Sequence, residues 1–144
     1  MRSRRSLKSG LFLIELIIMI LFFAIASAIC VRLFVHAHLT AKASTDLSQA
    51  VFISQSAAET IKGTDASSEK LSELLGAVPS ENGYSVFYDK DWQRMASSQD
   101  CSYRMDITLK KTENILTAAL VVIDTEKNTD APIYDLTVNK LLLQ

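Results

Sequence analysis

The sequence predicts an α+β protein: a long N-terminal helix, transmembrane in its first half, packed on an antiparallel sheet of about four strands. Three observations carry this. From Leu11 to Lys62 there are 52 residues without Gly or Pro, bracketed by Gly10 and Gly63. The C-terminal half alternates apolar and polar residues in segments separated by turn residues. The order is helix first and strands after, with no helix–strand alternation that would suggest a parallel sheet.

As one helix, Leu11 to Lys62 extends roughly 78 Å at about 1.5 Å per residue. Residues 11–31 are almost all Leu, Ile, Phe, Met or Ala, and that stretch covers about 31 Å, the thickness of a bilayer's hydrocarbon. Residues 32–62 change character. There Leu47, Ala50, Val51, Ala57, Ala58 and Ile61 recur at three- and four-residue spacing, with Ser54 filling a gap, which makes an amphipathic stripe. Gly63 is expected to supply the cap residue after Lys62.

Residues 63–144 form the small C-terminal domain. "SSEKLSELLG" reads as a short helix capped by Ser67 or Ser68 and stopped at Gly76, and Pro79 and Gly83 mark the following connection. "YSVFYDKDW" places Tyr84, Val86 and Tyr88 on one face. "CSYRMDITLKK" alternates strictly, "ILTAALVVID" is apolar on both faces, and "APIYDLTVNKLLL" is a last strand with Tyr134, Leu136 and Val138 together. The short link "TEN" fits a hairpin.

Charge and composition exclude several function classes. The net charge is -1, from 15 Lys+Arg and 16 Asp+Glu. Arg2, Arg4, Arg5 and Lys8 crowd the first ten residues, so the remainder is mildly acidic and gives no reason to expect nucleic acid as a partner. Arg94, Arg104, Lys110 and Lys111 read as a solvated sheet face before they read as a DNA patch. Cys30 and Cys101 have no CxxC or His/Cys spacing, His36 and His38 point to different sides of a helix, and Asp89 and Asp91 lack the other oxygens calcium needs, so no metal or cofactor is expected. Trp92, Tyr84, Tyr88 and Tyr103 sit at strand spacing and suit a core or sheet face. No Ser/His/Asp or Cys/His grouping supports an enzyme.

The remaining oddity is Glu15, a carboxylate inside the apolar segment. It is unfavourable there by a few kcal/mol on insertion scales, and it argues against a secretory signal cut at Ala26-Ser27-Ala28 or a lipoprotein signal ending at Cys30. The alternative class is an extracellular binding module: secreted if cut there, lipoprotein-type if acylated at Cys30, or membrane-anchored if uncut. A plain single-pass anchor needs no acid. No Lys, Arg or His lies between Leu11 and Val31, so any counter-ion for Glu15 comes from a new terminus or another molecule.

"KSGLFLIEL", a basic leader ending in Gly, then an apolar run with Glu five positions past the Gly, resembles the amino terminus of type IV pilins and the pseudopilins of type II secretion. The resemblance is close from Lys8 to Val31 and looser to Lys62. It implies a leader, residues 1–10, removed between Gly10 and Leu11 by prepilin peptidase, and N-methylation of Leu11 by the same enzyme. It implies that Glu15 pairs with the terminal amine of a neighbouring pilin or pseudopilin subunit during assembly. The expected protein is a structural subunit, a minor one favoured, of a pilus or pseudopilus. It crosses the cytoplasmic membrane once, leader inside and domain outside as the positive-inside rule favours, and ends in an extracellular or envelope filament. Leu11 stands where many members have Phe, the Pro that kinks many members' helices is absent, and no C-terminal cysteine pair is present.

Overall fold

The computed structural model of the protein describes residues 3–64, 68–127 and 131–142. The chain forms two compact units, residues 1–43 and 44–144. Helix α1, Ser3–Gly63, contributes to both. It begins before the expected start, and Gly10 does not interrupt it. A glycine inside a helix costs about 1 kcal/mol relative to Ala, which twenty or more good helix formers on its C-terminal side outweigh.

In the first unit the side chains from Gly10 to Ala43 are exposed, Ala26 alone being half-buried. They include Leu, Ile, Phe, Met and Val in nearly continuous succession. α1 is long and apolar enough to cross a membrane near the N-terminus.

The second unit is the α+β domain. Its helical part, residues 44–63, is followed by α2, Ser68–Leu75, and by a six-stranded antiparallel sheet. The strands are β1 (Val78–Ser80), β2 (Gly83–Tyr88), β3 (Arg94–Met95), β4 (Tyr103–Thr112), β5 (Ile115–Asp124) and β6 (Tyr134–Leu141). Their order is β1-β2-β4-β5-β6, with β3 also pairing β2. The four strands anticipated from alternation are present as β2, β4, β5 and β6. The two additional ones are short pieces on one edge. Pro79, expected to mark a loop, lies in β1, an edge position where its missing N–H removes no interior ladder bond. Cys101, expected within a strand, lies two residues before β4.

The core lies between α1 and one face of the sheet. Val86 and Tyr88 of β2, Tyr103, Met105 and Ile107 of β4, and Leu116, Ala118, Leu120 and Val122 of β5 meet Ala50, Ala57, Ala58 and Ile61 of α1 and Leu71 and Leu75 of α2. The helix brings mostly small side chains and the sheet mostly large ones, so the two surfaces can approach closely. Leu47, expected on the buried stripe, is exposed, and Asp46 is buried in its place. The helix is therefore rotated slightly from the orientation that the apolar positions alone suggest.

Two glycines act through their backbones. Gly76 ends α2 at φ 60° as expected. Gly83, at φ 147°, starts β2 where a Cβ would lie 2.2 Å from the carbonyl oxygen of Ile107. Gly63 does not adopt a left-handed cap; it is the last helical residue, and other groups close the helix end. Thr64 N–H and Oγ1 both donate to Thr60 O, at 3.1 and 2.8 Å. The Lys140 ammonium, reaching over from β6, donates to Ile61 O at 3.4 Å and also to Thr64 O. A cation at a helix C-terminus opposes the negative end of its dipole.

Candidate processing and assembly segment

Gly10, Leu11 and Glu15 lie on α1 in the first unit. Leu11 and Glu15 are one helical turn apart, hence on the same face, with about 6 Å between their Cβ atoms. Helical side chains lean toward the N-terminus, so the Glu15 carboxylate leans toward the Gly10–Leu11 bond. Leu11 is 68 % exposed and nothing lies within 4 Å of the position a Gly10 Cβ would take. Among the described residues no ion pair engages Glu15.

A peptidase needs an extended substrate, and here the backbone around Gly10 is helical. Gly10 is the residue in the segment with the lowest helix propensity, so local unwinding costs least there. Cutting after it would leave a free amine at Leu11, adding a full positive charge to the positive end of the helix dipole and placing Glu15 one turn from it.

The second unit holds the other polar features, and most are structural. Asp89 Oδ1 accepts N–H bonds from Asp91 at 2.9 Å and Gln93 at 2.8 Å, closing a turn that sets Trp92 at φ 61°. Trp92 stacks on Tyr103 with ring centroids 3.9 Å apart, and Tyr88 lies 6.1 Å from Trp92. The Tyr103 hydroxyl donates to Asp46 Oδ1 at 2.9 Å, so this aromatic group anchors α1 to the sheet. Sequence reading missed Asp46 because a lone carboxylate beside an apolar stripe looks solvated. Its spacing, one helical turn from Ala50 and two from Ser54, is the available signal.

The four basic residues considered as a patch are not one. The Arg104 guanidinium Nε bonds the Asp106 carboxylate at 3.0 Å, and that carboxylate also accepts from Ser85 Oγ at 2.7 Å. Arg94 Nη1 donates to Leu74 O at 3.3 Å, covering the end of α2, while Lys110 and Lys111 are exposed near the end of β4. Cys30 and Cys101 are free thiols, and His36 and His38 are exposed on α1. Among the described residues no three His, Cys, Asp or Glu side chains converge as a metal site. Burial alone would raise Asp124, but the Lys127 ammonium at 3.0 Å and two backbone N–H bonds outweigh it and hold the carboxyl below its ordinary range.

No protein-family model, curated protein or solved structure matches the chain.

Proposed function

We propose that the chain is a prepilin-like structural subunit, cut between Gly10 and Leu11 by prepilin peptidase, methylated at Leu11 and assembled into a pilus or pseudopilus. The observation that carries this reading is Glu15, a carboxylate in an exposed apolar helix with no Lys, Arg or His between Leu11 and Val31. Such a group calls for a partner from outside its own segment. The amine released at Leu11 of a neighbouring subunit has the right charge. In a water-poor environment that attraction is several times stronger than in bulk solvent, and it fixes the axial position of one subunit against the next.

Helix geometry supports the same reading. Apolar side chains from Leu11 onward offer area for helix–helix packing, and the carboxylate supplies register. In this scheme the chain enters the cytoplasmic membrane with its basic leader inside, leaves its domain outside, and joins an envelope or extracellular filament.

The experiment is Glu15→Ala in the full chain, expressed in its own membrane. The variant is expected to be cleaved after Gly10 at the normal rate, yet to drop at least tenfold in sheared filaments relative to the parent. Normal incorporation would remove the register role.

A further inference from the structure

No Asp or Glu lies between Glu15 and Asp46, and the basic side chains of that stretch, Arg32, His36, His38 and Lys42, all stand past the end of the apolar span. α1 continues through them without a break, and all four side chains are exposed. At about 100° per residue they share an arc of about 160° around the helix, with the two histidines at its ends. The other side of the same turns carries Leu33, Phe34, Ala37, Thr40 and Ala41, none of them charged. Asp46, one turn past Lys42, does not neutralise the arc, because its carboxylate is buried and takes the Tyr103 hydroxyl.

Residues 11–31 match the hydrocarbon of a bilayer in length and composition, so Arg32 stands where the headgroup layer begins. That layer is about 6 Å deep, or four residues of helix, which takes in Arg32 through His36. Helical side chains lean toward the N-terminus, here toward the bilayer, so His38 and the long stem of Lys42 reach back to it. A phosphate diester offers only acceptors, and these side chains offer N–H donors, Arg32 in a bidentate fork. Val35 and Leu39 lie within the arc and are 51 % and 60 % exposed. A nucleic acid or an acidic protein in water would leave those apolar groups uncovered, whereas a membrane interface takes apolar stems and charged heads together.

We infer that Arg32, His36, His38 and Lys42 bind the phosphates of anionic phospholipids, lipids with a net negative headgroup such as phosphatidylglycerol, in the leaflet where the span ends. The inference rests on α1 crossing a membrane and is independent of the cut after Gly10. Each Lys or Arg beside an anionic surface raises the preference about fivefold. A zwitterionic headgroup carries the same phosphate beside a fixed cation that repels the arc, which is the source of selectivity. The leader cations Arg2, Arg4, Arg5 and Lys8 precede the span, so the two basic groups belong to opposite leaflets and a probe within the arc reports on the arc alone. The bound lipid also fixes the depth of α1. Sliding the helix inward drags Arg32 into hydrocarbon, and sliding it outward exposes Ile29 and Val31 to water.

The test places a photo-reactive side chain at Val35 of the full chain, reconstituted in vesicles of phosphatidylcholine with phosphatidylglycerol as the minor lipid, and identifies the adducts by mass. Phosphatidylglycerol adducts are expected at least fivefold above that lipid's share of the vesicle. The excess should vanish in Arg32→Gln with Lys42→Gln and persist in Arg32→Lys with Lys42→Arg, with the circular dichroism of all three chains alike. Adducts in proportion to the lipid mixture, adducts to a second copy alone, or an excess indifferent to the Gln substitutions would overturn the inference. A second probe at Ile20, mid-span, should label both lipids without preference. Acyl-chain adducts at Ile20 with no excess at Val35 sink the arc and leave the span, and no lipid adducts at Ile20 sink both. No peptidase is present in these vesicles, so the reading of Gly10 and Leu11 as a processing site stands or falls separately.

Discussion

The Tyr103 hydroxyl and Asp46 Oδ1 lie 2.9 Å apart across 57 positions of sequence, joining the start of β4 to the buried face of α1. Asp46 Oδ2 and Ser54 Oγ, on the same helix face, are buried without a hydrogen-bonding partner among the described residues. Tyr103 thus supplies the carboxylate's donor. Tyr103→Phe keeps the ring stack on Trp92 and removes that donor, so it should destabilise the domain by about 2 kcal/mol, measured by denaturant unfolding at pH 7. The variant should also be less sensitive to alkali. Burial first, then the bond to Asp46 and the charges of Asp46, Asp124 and Glu126, raise the Tyr103 phenol well above its ordinary value. The folded state therefore holds the proton after the unfolded state has released it. That contribution is complete below about pH 10, the unfolded phenol's range, and is lost as pH climbs toward the folded value. Tyr88, raised by burial against the opposing effect of Arg94, adds a loss of the same sign, so the variant retains part of the slope.

Ser54 is fully buried with an unpartnered hydroxyl, among Ala50, Ala57 and Ala58. Ser54→Ala removes the desolvated group and improves helix propensity. It should stabilise the domain by about 1 kcal/mol, seen as a raised denaturant midpoint at unchanged slope.

Lys140→Met keeps the aliphatic stem and removes the ammonium that caps α1 at Ile61 O and Thr64 O. A loss of about 1 kcal/mol is expected. Amide exchange should accelerate in the last turn of α1 and not in β4. Uniform acceleration would mean the cation acts on the whole domain and not on the helix end.

How much of this was legible in the sequence depended on the range of the interaction. The helix from Leu11 to Lys62, the Gly76 stop and the alternation of β4 follow from local chemistry, and each is present. The Gly10-Leu11 and Glu15 pattern on which the proposed processing rests is also local in the sequence. Features that arise from contacts between distant residues were not. Lys140 closes the helix in place of a Gly63 cap, Tyr103 draws Asp46 inward where Leu47 was expected, and β1 and β3 exist because β2 has a free side to be paired. Short strands of two or three residues carry too little periodicity to read, and Pro79 argued against one of them.

Gly83→Ala and Gly76→Ala separate two reasons for glycine. At Gly76 the added Cβ would meet Arg94 Cδ at 2.9 Å, the flexible stem of a side chain, so the expected cost is the backbone strain of about 1–2 kcal/mol. At Gly83 it would meet the Ile107 carbonyl oxygen at 2.2 Å, which forces β2 and β4 apart. That variant should lose more than about 3 kcal/mol or fail to fold, judged by soluble yield and thermal midpoint.

The most direct test of the subunit reading is the intact mass and N-terminal sequence of the mature chain extracted from its own membrane. The account predicts a chain beginning at Leu11 and heavier by one methyl group on its amine. A chain beginning at Ile29, at an acylated Cys30 or at an uncut Met1 would contradict it.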